Sequence, residues 1–483
     1  MLALAVRHVH SSFVRIFLAR VACSGLLCHL LEMTKTFAPR PVGVHQRLAD
    51  WPTRVFFLLA LVSMTLAHAE KTPPGKSVRS SPVVKTASTP SAASKRTAVP
   101  RTAVQRKLRD GEAEARLIEV YKLIGQANFR EALPKAERLV ADHPNFQLAQ
   151  LVYGDLLAGR NRPPSRTRGA SAVGAVPDDL ARAGAPQLAE LREESQLRLR
   201  ALRERPPAGH IPSQFLALSS QNRHAIAVDA SRSRLYLFEN TANGLKLMAD
   251  YYISVGKSGI EKKVEGDLRT PLGVYFITSN LDPNSLKDFY GSGALPINYP
   301  NQLDMRRGKT GSGIWLHGTP REQFSRAPLS TDGCVAIANP DLERIARTVE
   351  IRTTPVVIAQ NLQWVAPNTL NADSKSFEEA LRNWHNAKSK GDVVQLSSWY
   401  TSDFTSYGKT FAQWQPALQA EVKKLAGRSV QLKDVSFLSW KDSHETMVVT
   451  FGEVVQGAKT GTMKRQYWTR QSGQWKIFFE GAI

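Results

Sequence analysis

His317 and Cys334 stand seventeen positions apart, and a pair of this kind constrains the fold more than composition does. An imidazole within hydrogen-bonding reach of a thiol lets the thiolate, which is the nucleophile, be present near neutral pH. A chain that uses both must therefore bring two separate segments side by side on a rigid support. The stretch WLHGTPREQFSRAPLSTDGCVAIAN, Trp315 to Asn339, has the residue types for such an arrangement. Gly318 follows the imidazole and leaves the backbone open, so that a main-chain carbonyl there can hold the ring in one tautomer. Gly333 precedes the thiol, where the missing side chain permits a sharp turn and lets the amides of Asp332 to Cys334 face a developing oxyanion. A lone cysteine is more often structural than catalytic, so the compartment has to be weighed as well.

Arg54 precedes the apolar run Val55 to Leu66, and Ala67-His-Ala69 offers a small-x-small cleavage site. This reads as a secretory signal peptide ending at Ala69, with membrane attachment expected only if it stays uncleaved. Met33 is a candidate start, residues 1–32 then being a gene-model extension or a second targeting signal. Of three cysteines, Cys23 and Cys28 fall in this leader, and the mature chain keeps Cys334 alone. An exported protein with one thiol builds no internal disulfide. An unpaired thiol in an oxidising compartment is a liability without a chemical role, which favours the catalytic reading.

The expected organisation is α+β and multidomain. Residues 1–69 form the leader and signal peptide. Residues 70–110 carry ten Lys/Arg against two acids among Ser, Thr, Pro and Ala, a basic tether with too little apolar surface to fold. Residues 111–159 have the periodicity of a helical hairpin resembling one tetratricopeptide repeat, either docking a protein partner or packed on the next domain. Residues 160–213 read as a linker and an exposed connecting helix. Alternating apolar positions in HAIAVDASRSRLYLFE and GLKLMADYYISVG predict strands of a mostly β domain over 214–362, beginning near Phe215. A helix at 341–349 follows the thiol, with Asn339 as its cap. Residues 370–483 predict helices and then four strands, a pattern resembling an NTF2-like cone whose aromatics fill its core. The net charge of +22 admits polyanionic partners, but its concentration in the tether argues against nucleic acid. No phosphate loop, His-Glu-x-x-His or Cys-x-x-Cys pattern occurs, so no cofactor and no metal are expected.

The segment around Cys334 resembles the active-site signature of the L,D-transpeptidase (YkuD-like) family. The matching positions are His317, Gly318, Thr331, Gly333, Cys334 and Asn339. Upstream, Gly266, Asp267, Thr270, Pro271, Gly273 and Tyr275 resemble a second family stretch, and Tyr299-Pro300 a third. Two positions depart from the pattern: Asp332 stands where the family has His, and Ala336 where it commonly has an Arg that helps hold the peptide stem. Joined to an NTF2-like domain, the Gly-Cys-Val-Ala variant is similar to the L,D-carboxypeptidases that determine helical cell shape. The resemblance implies an exported, periplasmic cysteine enzyme of cell wall biogenesis. Cys334 would be the nucleophile, His317 its base, Gly318 and Gly333 backbone supports, and peptidoglycan stem peptides the substrate. Thr331, Asp332, Arg306 and Arg307 are the expected substrate-binding positions. The acyl acceptor is an amine in a transpeptidase and water in a carboxypeptidase, and a non-catalytic wall-binding scaffold is the alternative from another class.

Overall fold

The computed structural model describes residues 111–160, 178–425 and 428–483, all within the compact unit Pro100–Ile483. The leader, signal segment and tether expected at 1–110, and most of the expected linker, lie outside the described residues.

The alternating stretches form the centre of a nine-stranded sheet. His224–Asp229, Arg234–Thr241 and Gly244–Gly256 run antiparallel in sequence order. Pro355–Ala359 adds in parallel to the first of them and pairs with Gly273–Phe276. On the other side, Val335–Ile337 pairs with the end of Gly244–Gly256, followed by Trp315–His317 and Ala294–Pro296. Both faces of this sheet are buried, because side chains alternate between two different cores. One face sets Ile226, Val228, Leu235 and Ile253 against the helix Asn339–Thr348 through Leu342 and Ile345. The other turns Ala225, Ala227, Tyr236 and Phe238 toward Leu438, Val448, Tyr467 and Phe478 of the C-terminal domain.

That domain is a seven-stranded sheet wrapped on the helices Leu370–Lys390 and Phe411–Lys424. Its last strand comes from elsewhere: Phe215–Ala217, expected to open the catalytic domain, pairs instead with Val430–Lys441. The cone interior is occupied by Trp384, Trp468, Trp475, Phe377 and Phe451. Beside them lies a buried ionic network that the sequence did not reveal. Lys388 reaches Glu421 at 3.0 Å and Glu453 at 2.5 Å, and Lys464 reaches Glu421, Glu453 and Glu480 at 2.7, 2.7 and 3.3 Å. Charges out of water persist only when paired and hydrogen-bonded in this way.

Helices α1 (Glu112–Gly125), α2 (Phe129–Asp142) and α3 (Gln147–Arg160) form where helical periodicity was expected. Of the two roles left open for them, packing on the next domain is the one the structure displays. Leu117, Val120, Ala132, Leu139 and Phe146 share a core with Phe324 and Ala338 of the catalytic domain, and Phe324 stacks on Phe146 at 4.4 Å. Helix α4 (Asp178–Arg203) is not simply an exposed connector. Its Glu194 and Arg198 are buried. Arg198 lies 4.0 Å over the Tyr252 ring and 2.9 Å from Glu114 of α1, which also receives Arg234 of the sheet at 2.7 Å.

One carboxylate thus serves two buried guanidiniums. Burial works to raise the Glu114 pKa, but Arg234 and Arg198 overcome it and leave the group below its ordinary value. A depressed folded-state pKa gives stability that is present above the unfolded value and lost as pH falls through the folded one. We expect Glu114→Ala to cost about 1–3 kcal/mol, since two buried guanidiniums lose a shared acceptor while Arg198 keeps Glu194 and Arg234 keeps Asp250. The shift in urea midpoint at unchanged slope measures this cost. Acidification below the ordinary carboxylate range should narrow the gap between variant and wild type.

Candidate active site

The thiol and the imidazole sit on neighbouring parallel strands. Val335 is in register with Leu316 and Ala336 with His317, which puts Cys334 level with Trp315, at the mouth of its strand. Paired residues project to the same side of a sheet and alternate along each strand, so Cys334 and His317 share a face. An offset of two residues across one strand spacing separates their Cα atoms by ~8 Å, a span their side chains can bridge.

Each partner is fixed by local contacts. His317 Nδ1 lies 2.6 Å from the carbonyl of Gly318. A carbonyl only accepts, so Nδ1 carries the proton and Nε2 presents a lone pair. Nε2 is buried and has no hydrogen-bond partner. Phe289 and Tyr290 flank the ring at 5.8 and 5.2 Å, and Tyr290 also packs on Trp315 at 4.8 Å. The sulfur accepts from the Trp315 amide at 3.4 Å and lies 3.4 Å from the Gly313 carbonyl.

The turn before the sulfur is braced from three directions. Thr331 Oγ1 donates to the Cys334 carbonyl at 2.7 Å and accepts from the Gly333 amide at 3.2 Å. Thr270 Oγ1 donates to the Gly333 carbonyl at 2.9 Å. At φ 128°, with the Arg269 carbonyl 2.8 Å from where a Cβ would stand, position 333 admits only glycine. Because its amide is engaged by Thr331, Gly333 is not an open oxyanion donor, contrary to the expectation from sequence. Asp332 is exposed and accepts from Lys257 Nζ at 3.0 Å. Asn339, expected to cap a helix, is instead its first residue, with Ala338 at the cap. Its side chain binds the amides of Ser292 and Thr319 at 2.9 and 3.1 Å and the Thr319 carbonyl at 2.8 Å. That clamp ties Thr319, directly after Gly318, to Ser292 of a neighbouring segment, and a Cβ at Gly318 would strike the Asn339 side chain.

Arg306 and Arg307 lie away from this constellation. Arg306 forks onto Asp403 at 2.7 and 3.0 Å, and Arg307 onto Asp442 at 2.6 and 2.7 Å. Both arginines are committed to the contact with the C-terminal domain, which corrects the expectation that they bind substrate. A cation the sequence reading passed over, Arg326, stands beside the site, its guanidinium 4.9 Å over Phe289. It occurs in an aperiodic loop where no spacing signal marks it. Among the described residues no group of His, Cys, Asp and Glu is placed to hold a metal.

Burial pushes the Cys334 thiol up to about 11, against the opposing pull of the Trp315 amide. Burial likewise lowers His317 to about 4, with the Gly318 carbonyl opposing and the Arg326 charge assisting. The resting pair is therefore a neutral thiol beside a neutral imidazole, not the preformed thiolate that the residue types suggested. At rest the thiol donates toward the Gly313 carbonyl, and Nε2 makes no hydrogen bond to the sulfur.

Residues 223–358 match the model of the L,D-transpeptidase catalytic domain, YkuD. The chain thus carries the catalytic domain of a class of cysteine enzymes that act on peptidoglycan. Residues 376–481 match the Cds6 C-terminal NTF2-like domain, so the two units occur here in one chain. Among solved structures, Bd1075 of Bdellovibrio bacteriovorus is similar at 24% identity and a TM-score of 0.49, over 56% of this chain and 98% of that one. The helical cell shape determining protein Pgp2 of Campylobacter jejuni is similar at 23% identity and a TM-score of 0.45, over 56% and 95%. No curated protein matches the chain.

Two measurements follow from the geometry. Iodoacetamide should alkylate Cys334 at a rate that keeps climbing toward pH about 11, because burial holds the thiol protonated, and does not level off near the ordinary thiol value of 9.0. Arg306→Ala and Arg307→Ala should each lower stability by about 1 kcal/mol or less and leave the alkylation rate of Cys334 within about twofold. Urea titration and the alkylation time course read the two effects separately.

Proposed function

We propose that this protein is an exported L,D-transpeptidase that rearranges the stem peptides of peptidoglycan through a thioacyl intermediate. The observation that carries the reading is the orphaned Nε2 of His317, buried on the same sheet face as Cys334 with its other nitrogen already committed to Gly318. A buried acceptor left without a partner calls for an explanation, and receiving the proton of a thiol on the same sheet face supplies one.

As the sulfur attacks the carbonyl that precedes the terminal D-residue, its proton passes to Nε2 and an S–C bond forms. The Cys334 amide supports the oxyanion. When the tetrahedral adduct collapses, the C–N bond breaks and the imidazolium returns the proton to the departing amine. An acceptor amine then attacks the thioester and gives its proton to Nε2; a new C–N bond forms, the C–S bond breaks, and the imidazolium returns the proton to the sulfur. Neutral resting groups suit this sequence, since neither charge is needed before substrate arrives. The expected setting is the periplasm, in wall biogenesis and cell shape.

A second reading has water as the acceptor, making the enzyme an L,D-carboxypeptidase that trims tetrapeptide to tripeptide. It is favoured by Ala336, small and buried beside His317, where the resembling family has a cationic side chain. Incubating the mature protein with disaccharide-tetrapeptide and following the products by mass spectrometry separates the possibilities. Cross-linked dimer is the expected product, tripeptide with free D-alanine would establish the hydrolytic reading, and unchanged substrate would leave a wall-binding scaffold. Cys334→Ala should abolish turnover with unchanged thermal melting.

A further inference from the structure

Arg326 is held in place with one buried nitrogen left over. Its carbonyl accepts from Tyr252 Oη and Ser254 Oγ, each at 2.9 Å, and its Nη2 donates to the Ser330 carbonyl at 2.6 Å. The preceding residue, Ser325, donates to the buried Glu194 of α4 at 2.8 Å. The guanidinium rests on Phe289, whose ring also neighbours His317 at 5.8 Å. Nη1 is buried and has no hydrogen-bond partner. A guanidinium stays charged under all working conditions, and an unmade bond on it is costly unless a ligand makes it.

The other cations near the sulfur are already engaged. Lys262 is buried against Asp267 at 2.8 Å and the Val264 carbonyl at 2.9 Å, and Lys257 is paired with Asp332. Arg326 is the one among these three that retains an unpaired buried donor. Its field reaches both reacting groups, lowering the pKa of His317 and opposing the rise at Cys334.

The proposed reaction, on which this inference rests, presents a matching anion. A stem peptide cleaved before its last residue bears a free carboxylate two bonds beyond the scissile nitrogen, next to the carbonyl that Cys334 attacks. We propose that Arg326 is a specificity-determining residue that binds this terminal carboxylate, with Nη1 supplying the charge-assisted hydrogen bond. Planar guanidinium and carboxylate are suited to each other in geometry as well as charge. Arg326 thereby sets the reading frame of the attack, since a donor already shortened by one residue would place its carboxylate elsewhere. The loop that carries it is the one braced by α3 and α4, so the N-terminal helices fix the position of the anion site.

The test uses the full mature chain carrying Cys334→Ala, titrated calorimetrically with disaccharide-tetrapeptide and with the same compound amidated at its C-terminus. The free acid should bind on the order of tenfold more tightly. Adding Arg326→Met should bring both ligands to the same weak affinity, and Arg326→Lys, which keeps the charge and loses the fork, should fall between. Thermal melting accompanies each variant; if the Met form does not fold, the Lys form decides, and an undiminished preference there overturns the proposal. Equal binding of acid and amide to the Arg326-bearing protein, or a preference that survives Arg326→Met, also overturns it. Turnover by the unsubstituted protein is scored in parallel. Discrimination without turnover leaves the carboxylate site standing and removes the acyl-transfer reading, whereas turnover without discrimination does the reverse.

Discussion

Hydrogen bonding between two three-residue strands, Trp315–His317 and Val335–Ile337, decides whether this site exists. The pairing is parallel, so the intervening loop must leave at the far end of one strand and travel back to enter the other at the opposite end. That return path is the segment holding Phe324, Arg326 and Thr331. A slip of one residue would turn either side chain to the opposite face. Register is fixed on one side by the long strand Gly244–Gly256, which pairs with Val335–Ile337, and on the other by Ala294–Pro296, which pairs with Trp315–His317. Thr270, Thr331 and Asn339 then hold the turns at the two strand ends.

The loop itself lacks a core of its own, and the rest of the chain supplies one. Helices α1 to α3 place Phe146 under Phe324, and α4 places Glu194 under Ser325. The buried Glu114, shared by Arg198 and Arg234, ties these helices to the catalytic sheet. Packing distant from the sulfur therefore reaches it through a single continuous segment.

Much of this was legible in the residues. Strict alternation gave the strands at 224–229, 234–241 and 244–256 within a residue or two, because one period serves a sheet whether its second face meets water or another domain. The Gly-Cys turn was legible because a positive φ leaves few options. Partnership between elements far apart in sequence was not. Nothing local in Phe215–Ala217 says that it joins a sheet more than two hundred residues away, and the charge pattern of α4 reads as solvated until Arg198 is seen over Tyr252. Lys388 and Lys464 look like ordinary helix and strand cations until three glutamates from other elements converge on them. Arg326 was missed for a related reason: a loop arginine carries no periodicity, and its meaning lies in which bonds it fails to make. The ionisation state of the pair was missed too, since residue identity sets the chemistry available and burial sets where the proton rests.

The two cores on opposite faces of the catalytic sheet have a consequence for how such a chain can be cut or recombined. Tyr236, Phe238 and Val357 are greasy on the face turned away from the helix Asn339–Thr348 because the C-terminal sheet roofs them. An excised 223–358 fragment would carry that roofless surface into solvent and meet its own kind there. The accessory domain is in this respect a roof over that apolar surface, and shuffling it onto another scaffold would require an equally apolar floor to receive it.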